Sequence, residues 1–481
     1  MHTRIIARVS GALAIIFGLS LCGPLGVAIW YQEAELTNFL IPMLGTLALG
    51  GLLWLVGGRS RIRLSNRDGY IIVSAFWVLL SLLGTWPLIL SVHLGLVDAL
   101  FESTSAVTTT GATVITGLDD LPKSILFYRQ QLQWLGGMGL IVLGVAVLPM
   151  LGIGGMQLYR AEAPGPMKEE KLTPRLADTA RALWTIYLGL TISCAIAYWL
   201  AGMTPFDAIA HSFSTVSTGG FSTHDASLGF YASPAIEAVA IFFMVLAAIN
   251  FGVHYFAWHN RNLRQYLTDI ESRSFLLFVL LMVLLVGLTL RLEGNYEQLP
   301  SSLRDATFEV VSVVTSTGFG TVDFAHWPDF LPVLLIFISF VGGCGGSTAG
   351  GIKVMRVLLL VKQGQHEIRR LIHPNAILPV RIGQRVVEPR LMQSVWGFFA
   401  FYVATFGGLM LVMIHAGLDQ VSAYSAVATS MNNLGPGLGE VAYNFQSVSP
   451  MGKLVAVIAM LLGRLEIFTI LVLLSPGFWR K

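Results

Sequence analysis

Four short segments of the chain follow one pattern, and this pattern restricts the possible folds more than any other feature. Each starts with Asp or Ser and reaches a glycine 13 positions later. Each lies between long apolar stretches and is too short to cross a bilayer. Non-helical backbone is tolerated at membrane depth only where protein or a water-filled cavity covers it, so carbonyls facing a pore are expected. The segments are Asp98–Gly111, Asp207–Gly220, Asp305–Gly318 and Ser422–Gly435.

The composition places the chain in a membrane. Of its 481 residues, 54% are hydrophobic and 12% are charged, and the mean hydropathy is +0.70. A soluble domain carries roughly 25% charged residues, so an integral membrane protein is expected. Stretches near 20 residues cross a bilayer. Ten such spans are predicted, at about 8–30, 38–58, 70–93, 124–151, 182–202, 234–258, 274–292, 330–361, 392–416 and 451–475.

The basic residues cluster after the even-numbered spans, and the opposite connections contain few. The positive-inside rule therefore places both termini in the cytoplasm. The net charge of +3 is too small to indicate nucleic-acid binding. The basic 362–390 loop is a candidate docking surface for an acidic partner or for lipid headgroups, although ordinary positive-inside charge explains much of it. The apolar run at the N-terminus continues to Trp30, which favours a retained first helix over a signal peptide.

The short segments are suited to a cation. Asp and Ser are good N-caps, so each segment is predicted to be a three-turn helix that begins at its first residue. A short helix entering from the outside places roughly half a negative charge at its inner, C-terminal end. Glycine lets the backbone turn its carbonyls to a common axis, often at positive φ, where they replace a hydration shell. Four matched segments on one side therefore predict a cation pore.

The predicted fold is an all-α integral membrane protein with ten transmembrane helices. Two N-terminal helices precede four pseudo-symmetric repeats of helix, pore loop and helix around one ion pore. The predicted units are 1–66 for the two extra helices, 67–158 for repeat 1, 159–272 for repeat 2, 273–390 for repeat 3 with a broken second helix and the basic cytoplasmic loop, and 391–481 for repeat 4.

Several motifs resemble the membrane subunits of bacterial Trk potassium-uptake systems (the TrkH type) in the Trk/Ktr/HKT superfamily. The resemblance covers essentially the whole chain. It implies pseudo-fourfold repeats around one pore in the bacterial inner membrane, a homodimer, and a cytosolic nucleotide-binding (TrkA-like) subunit that gates the pore. Besides the four segments, the motifs that carry it are Phe127–Gly139, Gly154–Glu162, Gly342–Lys353, Asn432–Gly439 and Gly463–Glu466.

The resemblance also implies which residues select the ion. The carbonyls would come from each aligned glycine and the two residues before it, and each such triplet is called a tip below. In this superfamily a serine in place of the first filter glycine goes with sodium permeation, so four glycines favour K⁺ as the transported ion. The fourth tip departs from the Thr-Gly pattern, so the symmetry is expected to be approximate. The tips are Thr109-Thr110-Gly111, Thr218-Gly219-Gly220, Ser316-Thr317-Gly318 and Asn433-Leu434-Gly435.

The eighth predicted span is interrupted by a glycine loop, Gly342–Gly351. Six glycines in ten residues cannot form a stable helix interior, since each costs up to about 1 kcal/mol against alanine. A phosphate loop and a nucleophile elbow are both disfavoured, because the required Lys-Ser/Thr pair and final glycine are missing. A flexible gate beneath the tips is favoured over close helix packing. The predicted gate residues are Gly342, Gly343, Gly345, Gly346, Ser347, Thr348, Gly350, Gly351 and Arg464.

Arg464 belongs to this set because it lies deep in the last span. An arginine at mid-bilayer costs roughly 3 kcal/mol or more, so such residues face a cavity or a partner. A local pair with Glu466 is disfavoured because residues two apart on a helix do not face each other. Arg464 is therefore expected to point into the pore and to contact the glycine loop.

A proton- or sodium-coupled secondary cation transporter is the alternative function. It predicts acidic residues buried in mid-span, whereas Asp and Glu are expected here in loops or at span ends, with Glu466 as the main exception. An enzyme is not expected, because no catalytic or metal-binding spacing is found. His211 and His224 are expected to be exterior or packing residues. The three cysteines, Cys22, Cys194 and Cys344, are expected to fill the core.

Overall fold

The computed structural model describes residues 2–58, 66–137, 139, 176–328, 330–375, 379–383 and 385–480. In this part of the chain the only strands are Arg381–Ile382 (β1) and Arg385–Val386 (β2), which form a small antiparallel pair. All other regular structure there is helical, which confirms the all-α fold.

Three helices form the N-terminal part of the chain. Thr3–Ser20 (α1) and Cys22–Trp30 (α2) follow each other closely, and Leu36–Gly57 (α3) packs along α1. The next helices are Asn66–Ser91 (α4), Leu96–Val107 (α5), Lys123–Gly137 (α6), Leu176–Leu200 (α7), Pro205–Val216 (α8), Pro234–Ala247 (α9), Phe251–His259 (α10), Gln265–Thr268 (α11) and Ile270–Leu292 (α12). The last are Leu299–Val314 (α13), Leu331–Ser339 (α14), Val354–Ile372 (α15), Pro389–His415 (α16), Gln420–Asn432 (α17), Pro450–Arg464 (α18), Phe468–Leu474 (α19) and Pro476–Trp479 (α20).

The short helices α5, α8, α13 and α17 precede the four tips but begin earlier than predicted. Residues upstream of the predicted N-caps start these helices. The Thr204 hydroxyl accepts the Asp207 N–H at 3.1 Å, and Pro205 occupies the first turn, where its missing N–H costs nothing. Asp419 caps α17 in the same way. The prediction that the helices begin at Asp98, Asp207, Asp305 and Ser422 is therefore wrong.

Two predicted spans are bent. Helices α9 and α10 meet at 95°, and α18 and α19 meet at 111°. At the first bend the Cys344 N–H donates to the Ala248 carbonyl at 2.9 Å, and the Phe251 N–H donates to the Gly346 carbonyl at 3.0 Å. The glycine loop thus satisfies backbone that the bend leaves unpaired. The expectation of continuous spans at 234–258 and 451–475 is wrong, because hydropathy cannot reveal a bend that a distant loop satisfies.

The eighth predicted span is broken where the glycine loop was predicted. Helix α14 ends at Ser339 and α15 begins at Val354. Two predicted features lie outside the described residues. They are the second half of the fourth span, apart from Gly139, and the motif at 154–162. Six described helices are long and apolar enough to cross a membrane, or up to eight if each bent pair is one span. A multi-pass membrane protein is thus supported, while the count of ten remains a prediction.

Many large apolar side chains lie on the surface of the protein. On α12, large side chains such as Leu277, Leu281 and Leu288 are exposed. Such a surface matches a lipid environment. Cys22 is exposed as well, so the expectation that it fills the core is wrong, whereas Cys194 and Cys344 are buried. An apolar segment indicates only that its residues avoid water. It does not distinguish residues that face lipid from residues in the protein core, because both environments favour apolar side chains.

Candidate functional site

The four tips form a closed ring. Each aligned glycine packs against the carbonyl oxygen just before the aligned glycine of the next tip, in the order 1, 2, 3, 4 and back to 1. A Cβ added to any of the four would approach that oxygen to less than 3.0 Å, so a side chain there forces backbone to shift. The glycine–carbonyl pairs are Gly111 with Gly219, Gly220 with Thr317, Gly318 with Leu434, and Gly435 with Thr110.

The backbone of the tips has the same handedness in all four repeats. The first residue of each tip has a φ of 52–57°, and the glycine has a φ of 76–101°. The residue between them is outside the positive-φ region. Glycine is suited to the third position because a side chain would be strained there. The positive-φ residues are Thr109 and Gly111, Thr218 and Gly220, Ser316 and Gly318, and Asn433 and Gly435.

The ring borders one cavity of about 100 Å³, called the outer cavity below. All four aligned glycines line it. Side chains from the chain segments that follow the tips also line it, including Thr113, Ser222 and Tyr443. The C-terminal ends of the four short helices lie next to the tips, which adds partial negative charge to the ring. The arrangement therefore offers carbonyl oxygens to a cation without a carboxylate in the ring.

Hydroxyl groups behind the tips join neighbouring residues. Thr108 Oγ1 lies 2.8 Å from Thr110 Oγ1, and Thr315 Oγ1 lies 2.7 Å from Thr317 Oγ1. Asn433 Nδ2 donates to Thr110 Oγ1 at 2.9 Å. This last bond connects the fourth tip to the first and helps to close the ring.

The residue nine positions before the aligned glycine holds the chain that leaves the tip. In repeat 1, Glu102 accepts the Val114 N–H at 2.9 Å. In repeat 3, Glu309 accepts the Thr321 N–H at 2.9 Å. In repeat 2, His211 lies 2.9 Å from the Ser222 hydroxyl. Three anchors of two chemical kinds, two carboxylates and one imidazole, thus act at one offset.

The fourth repeat uses a neighbouring residue for the same purpose. The offset position is Ala426, which has no polar group. Ser425 takes its place, because its Oγ accepts the Leu438 N–H at 2.9 Å. The helix and the outgoing chain are therefore joined in all four repeats. The position at offset nine is called the anchor position below.

Arg129 joins the first two repeats at the wall of the outer cavity. It lies on α6, with 1% of its side chain exposed. Its Nη2 lies 2.7 Å from Glu102 Oε1 and 3.1 Å from Thr113 Oγ1. Its guanidinium also lies over the Phe221 ring at 4.1 Å. A buried arginine is satisfied here because a carboxylate and a hydroxyl both accept from it.

A polar cluster lies at the outer edge of the same cavity. His224 and Asp225 line the cavity, and the Leu118 N–H donates to Asp225 at 3.0 Å. The His224 ring is hydrogen-bonded to Asp119. That hydrogen bond holds the pKa of the Asp119 carboxyl below its ordinary value. The Asp119 carboxylate therefore remains ionised close to the cavity.

The glycine loop lies directly against the inner side of the tips. The Gly350 N–H donates to Ser316 Oγ at 2.5 Å. Thr348 Oγ1 donates to the Val216 carbonyl, the last residue of α8, at 3.1 Å. A Cβ on Gly350 would approach the Asn432 carbonyl to less than 3.0 Å. The loop thus contacts repeats 2, 3 and 4 where their short helices end.

Arg464 connects the loop to repeat 1. Its Nη1 donates to the Thr348 carbonyl at 3.0 Å. Its Nη2 donates to the Gly136 carbonyl at 3.0 Å and to the Gly137 carbonyl at 3.2 Å, both on α6. Arg464 therefore links the bend of α18 and α19, the loop and α6.

Two acids, one buried and one partly buried, also support the loop. Glu271 Oε1 accepts the Gly345 N–H at 2.7 Å and the Met355 N–H at 3.2 Å. Glu466 pairs with Arg356, close to the start of α15. The start and end of the loop are thus held by side chains from α12 and from the second bend.

Comparison with known proteins identifies the family. A family model described as TrkH, cation transport protein, matches residues 35–481. The chain belongs to the TrkH family. The Trk system potassium uptake protein TrkH of Vibrio parahaemolyticus is 50% identical over the full length of both chains, and that of Escherichia coli K12 is 48% identical over the full length of both. The crystal structure of the potassium transporter TrkH from Vibrio parahaemolyticus matches with a TM-score of 0.91 at 48% identity, covering both chains completely.

Membership of the TrkH family confirms the predicted resemblance, and it confirms that the chain is a transport protein rather than an enzyme. Every predicted tip and gate residue lies within the described residues. The structure brings the twelve tip residues into one ring. Of the nine predicted gate residues, Thr348 and Gly350 contact the short helices and tips directly, and Arg464 binds the Thr348 carbonyl.

The sequence analysis missed the acids inside the short helices. It expected Asp and Glu in loops or at span ends, but Glu102 and Glu309 are buried between the helices, with 0% and 1% exposed. This expectation was wrong because each acid receives hydrogen bonds from the chain that leaves the tip. The common offset from the aligned glycine could have revealed both. Arg129 lies in one of the motifs that carry the resemblance, but the sequence predicted no role for it.

Proposed function

We propose that the chain takes up potassium across the bacterial cytoplasmic membrane through a channel-like pore, with K⁺ as the transported ion. The closed ring of four glycines around one cavity carries this proposal. The names of the full-length relatives, which are potassium uptake proteins, support the choice of ion. The ring favours a cation because carbonyl oxygens and helix C-termini surround it.

The selectivity filter in this proposal consists of carbonyls of the four tips. They replace water around K⁺ as it passes through the ring. Alternating positive and ordinary φ along each tip supports this role, since it turns the backbone without placing side chains in the ring. The proposed filter residues are Thr109, Thr110, Gly111, Thr218, Gly219, Gly220, Ser316, Thr317, Gly318, Asn433, Leu434 and Gly435.

The gate in this proposal is the glycine loop with Arg464. The loop's contacts with the inner side of the ring support it, because an ion leaving the ring meets the Thr348–Gly350 backbone. The positive charge of Arg464, which is bonded to that backbone, raises the barrier to cations. Opening requires the loop to move away from Ser316 and Val216.

The proposed assembly is a homodimer with a cytosolic nucleotide-binding regulatory subunit. The relatives are named as proteins of a Trk system, which supports partner subunits. Helix α15 follows the loop directly and carries exposed Arg369 and Arg370, so a cytosolic partner or lipid headgroups bound there could act on the loop. Both termini are placed in the cytoplasm on the same charge pattern.

Uptake in cells tests this function. Potassium-uptake-deficient cells that express the chain with a Trk regulatory subunit are expected to grow at low potassium, and excess sodium is expected not to abolish growth. The purified chain in liposomes is expected to carry potassium along its gradient. A failure of growth rescue together with no flux in liposomes would refute the proposal.

One observation favours a coupled transporter as the second candidate. Glu309 is buried beside the third tip, and no ion pair joins it to a basic side chain among the described residues. Such a carboxylate is suited to carry a proton. Coupling through it predicts that Glu309→Gln abolishes proton movement that accompanies potassium uptake. Potassium flux without any proton movement in the wild-type chain would exclude this candidate.

A further inference from the structure

We propose that the Glu102–Arg129 pair sets the affinity of the outer cavity for the incoming cation through the balance between its two opposite charges at the cavity wall. This inference rests on the proposed function, because it concerns how the same pore binds its ion before the tips. It assigns Arg129 and Glu102 as positioning and affinity-determining residues.

The location of the pair carries the first step. Arg129 lines the cavity together with all four aligned glycines, so its charge faces the space that a cation must enter. Its Nε and Nη2 both lie within 2.8 Å of Glu102 Oε1. The pair is therefore neutral as a unit, and a cation in the cavity encounters an arginine whose charge is compensated at close range.

Repeat 3 shows that the anchor position can hold the outgoing chain without an arginine. Glu309 occupies the same anchor position as Glu102 and holds its outgoing chain through the Thr321 and Val322 N–H groups. No ion pair with a basic side chain accompanies it in the described part of the chain. A carboxylate alone thus anchors the tip, so Arg129 contributes something beyond anchoring. What it adds is a positive charge on the cavity wall.

The two partners have opposite effects on a cation. Removal of the carboxylate by Glu102→Gln leaves the guanidinium uncompensated and repels the ion. Removal of the guanidinium by Arg129→Gln leaves the carboxylate uncompensated and attracts it. In a buried site a unit charge of either sign changes ion affinity by on the order of tenfold. A purely structural pair would give losses in the same direction for both.

The experiment measures potassium uptake kinetics in liposomes for five variants. We expect Glu102→Gln to raise KM for potassium about tenfold. We expect Arg129→Gln to lower KM and also to lower the maximal rate, because an ion bound more tightly leaves more slowly. The double variant E102Q/R129Q restores neutrality, so its KM should return to within about threefold of the wild-type value. Arg129→Lys keeps the charge and should resemble the wild type.

Lys123→Gln is the matched control. It removes the same charge from the same helix, but Lys123 lies over the Tyr31 ring and does not line the cavity. Its KM should equal that of the wild type. KM shifts of the same sign in E102Q and R129Q, or an R129K variant that behaves like R129Q, would overturn the inference. If E102Q does not fold, the comparison of R129Q with R129K decides.

The outcomes also separate this inference from the proposed function. A wild-type chain that carries no potassium contradicts the function itself. A wild-type chain that carries potassium, with KM unchanged in E102Q and R129Q, leaves the pore intact and refutes only the role of the pair.

Discussion

The anchor residues determine how the chain leaves each tip. A buried carboxylate is costly unless its oxygens receive hydrogen bonds, and the outgoing backbone provides them to Glu102 and Glu309. His211 joins the outgoing chain with a neutral ring and through a side chain: its Nδ1 faces the Asp207 backbone carbonyl, so Nδ1 donates and Nε2 accepts from the Ser222 hydroxyl. The anchors differ in charge but fix the same short connection.

Glu309→Ala is predicted to destabilise the protein more than Glu309→Gln. Alanine leaves the partly buried Thr321 and Val322 N–H groups without an acceptor, at a cost of up to about 1–3 kcal/mol for each group. Glutamine keeps an acceptor oxygen in place. Thermal unfolding of the purified protein in detergent checks this. Equal melting temperatures for the two variants would show that Glu309 does not anchor the third tip.

At the residue scale, the sequence predicted positions whose role is visible in a repeated spacing. The aligned glycines were found because all four share one offset from Asp or Ser. Arg129 does not follow a fourfold pattern, since repeats 2 and 3 have Ala238 and Ile336 at the equivalent position and only repeat 4, with Lys453, has a second basic residue there. Its role depends on contact with a carboxylate 27 residues earlier, which spacing alone does not predict.

At the scale of elements, the two bends and the broken span meet at the glycine loop. The α9–α10 bend bonds to the loop backbone, and Arg464 at the α18–α19 bend donates to Thr348. Irregular backbone inside a membrane requires internal partners. The three irregular segments supply them to one another. A shift of the loop is therefore expected to involve both bends.

Gly350→Ala and Arg464→Ala are each predicted to raise basal potassium flux in the absence of a regulatory subunit. The alanine at 350 would clash with the Asn432 carbonyl and displace the loop, and loss of Arg464 removes its bond to Thr348. Flux into liposomes measures this. Gly364→Ala on α15, where an added Cβ has no neighbour within 4 Å, is the control. Lower or unaltered flux in both variants would contradict the gate.

The sequence predicted an element correctly only where neighbouring residues in the sequence determine it. The broken eighth span was predicted, since six glycines prevent a helix locally. The helix starts were wrong because Thr204 and Asp419 compete with the predicted caps. The bends were missed because their stabilising partners lie far away in sequence: Cys344 bonds to Ala248 at the first bend, and Arg464 at the second bend bonds to Thr348, 116 residues away.

At the scale of the whole molecule, the ring is fourfold in backbone and asymmetric in side chains. The aligned glycines pack in one cyclic order with similar φ. The fourth tip differs, because Asn433 bonds to Thr110 and the anchor is Ser425 instead of residue 426. Ion selection by the ring is therefore expected to depend equally on all four glycines. The charge of the side chains around the ring, by contrast, differs from repeat to repeat.

The potassium-to-sodium flux ratio in liposomes, measured for each of the four glycine-to-serine variants, tests this account most directly. Gly111→Ser, Gly220→Ser, Gly318→Ser and Gly435→Ser each place a side chain against a neighbouring carbonyl, so each should admit sodium. Gly117→Ser is the control: Gly117 also has a positive φ, 74°, but an added Cβ has no neighbour within 4 Å, so selectivity should persist. Unchanged selectivity in any of the four ring variants, or an equal loss in the control, would contradict a single potassium-selective ring.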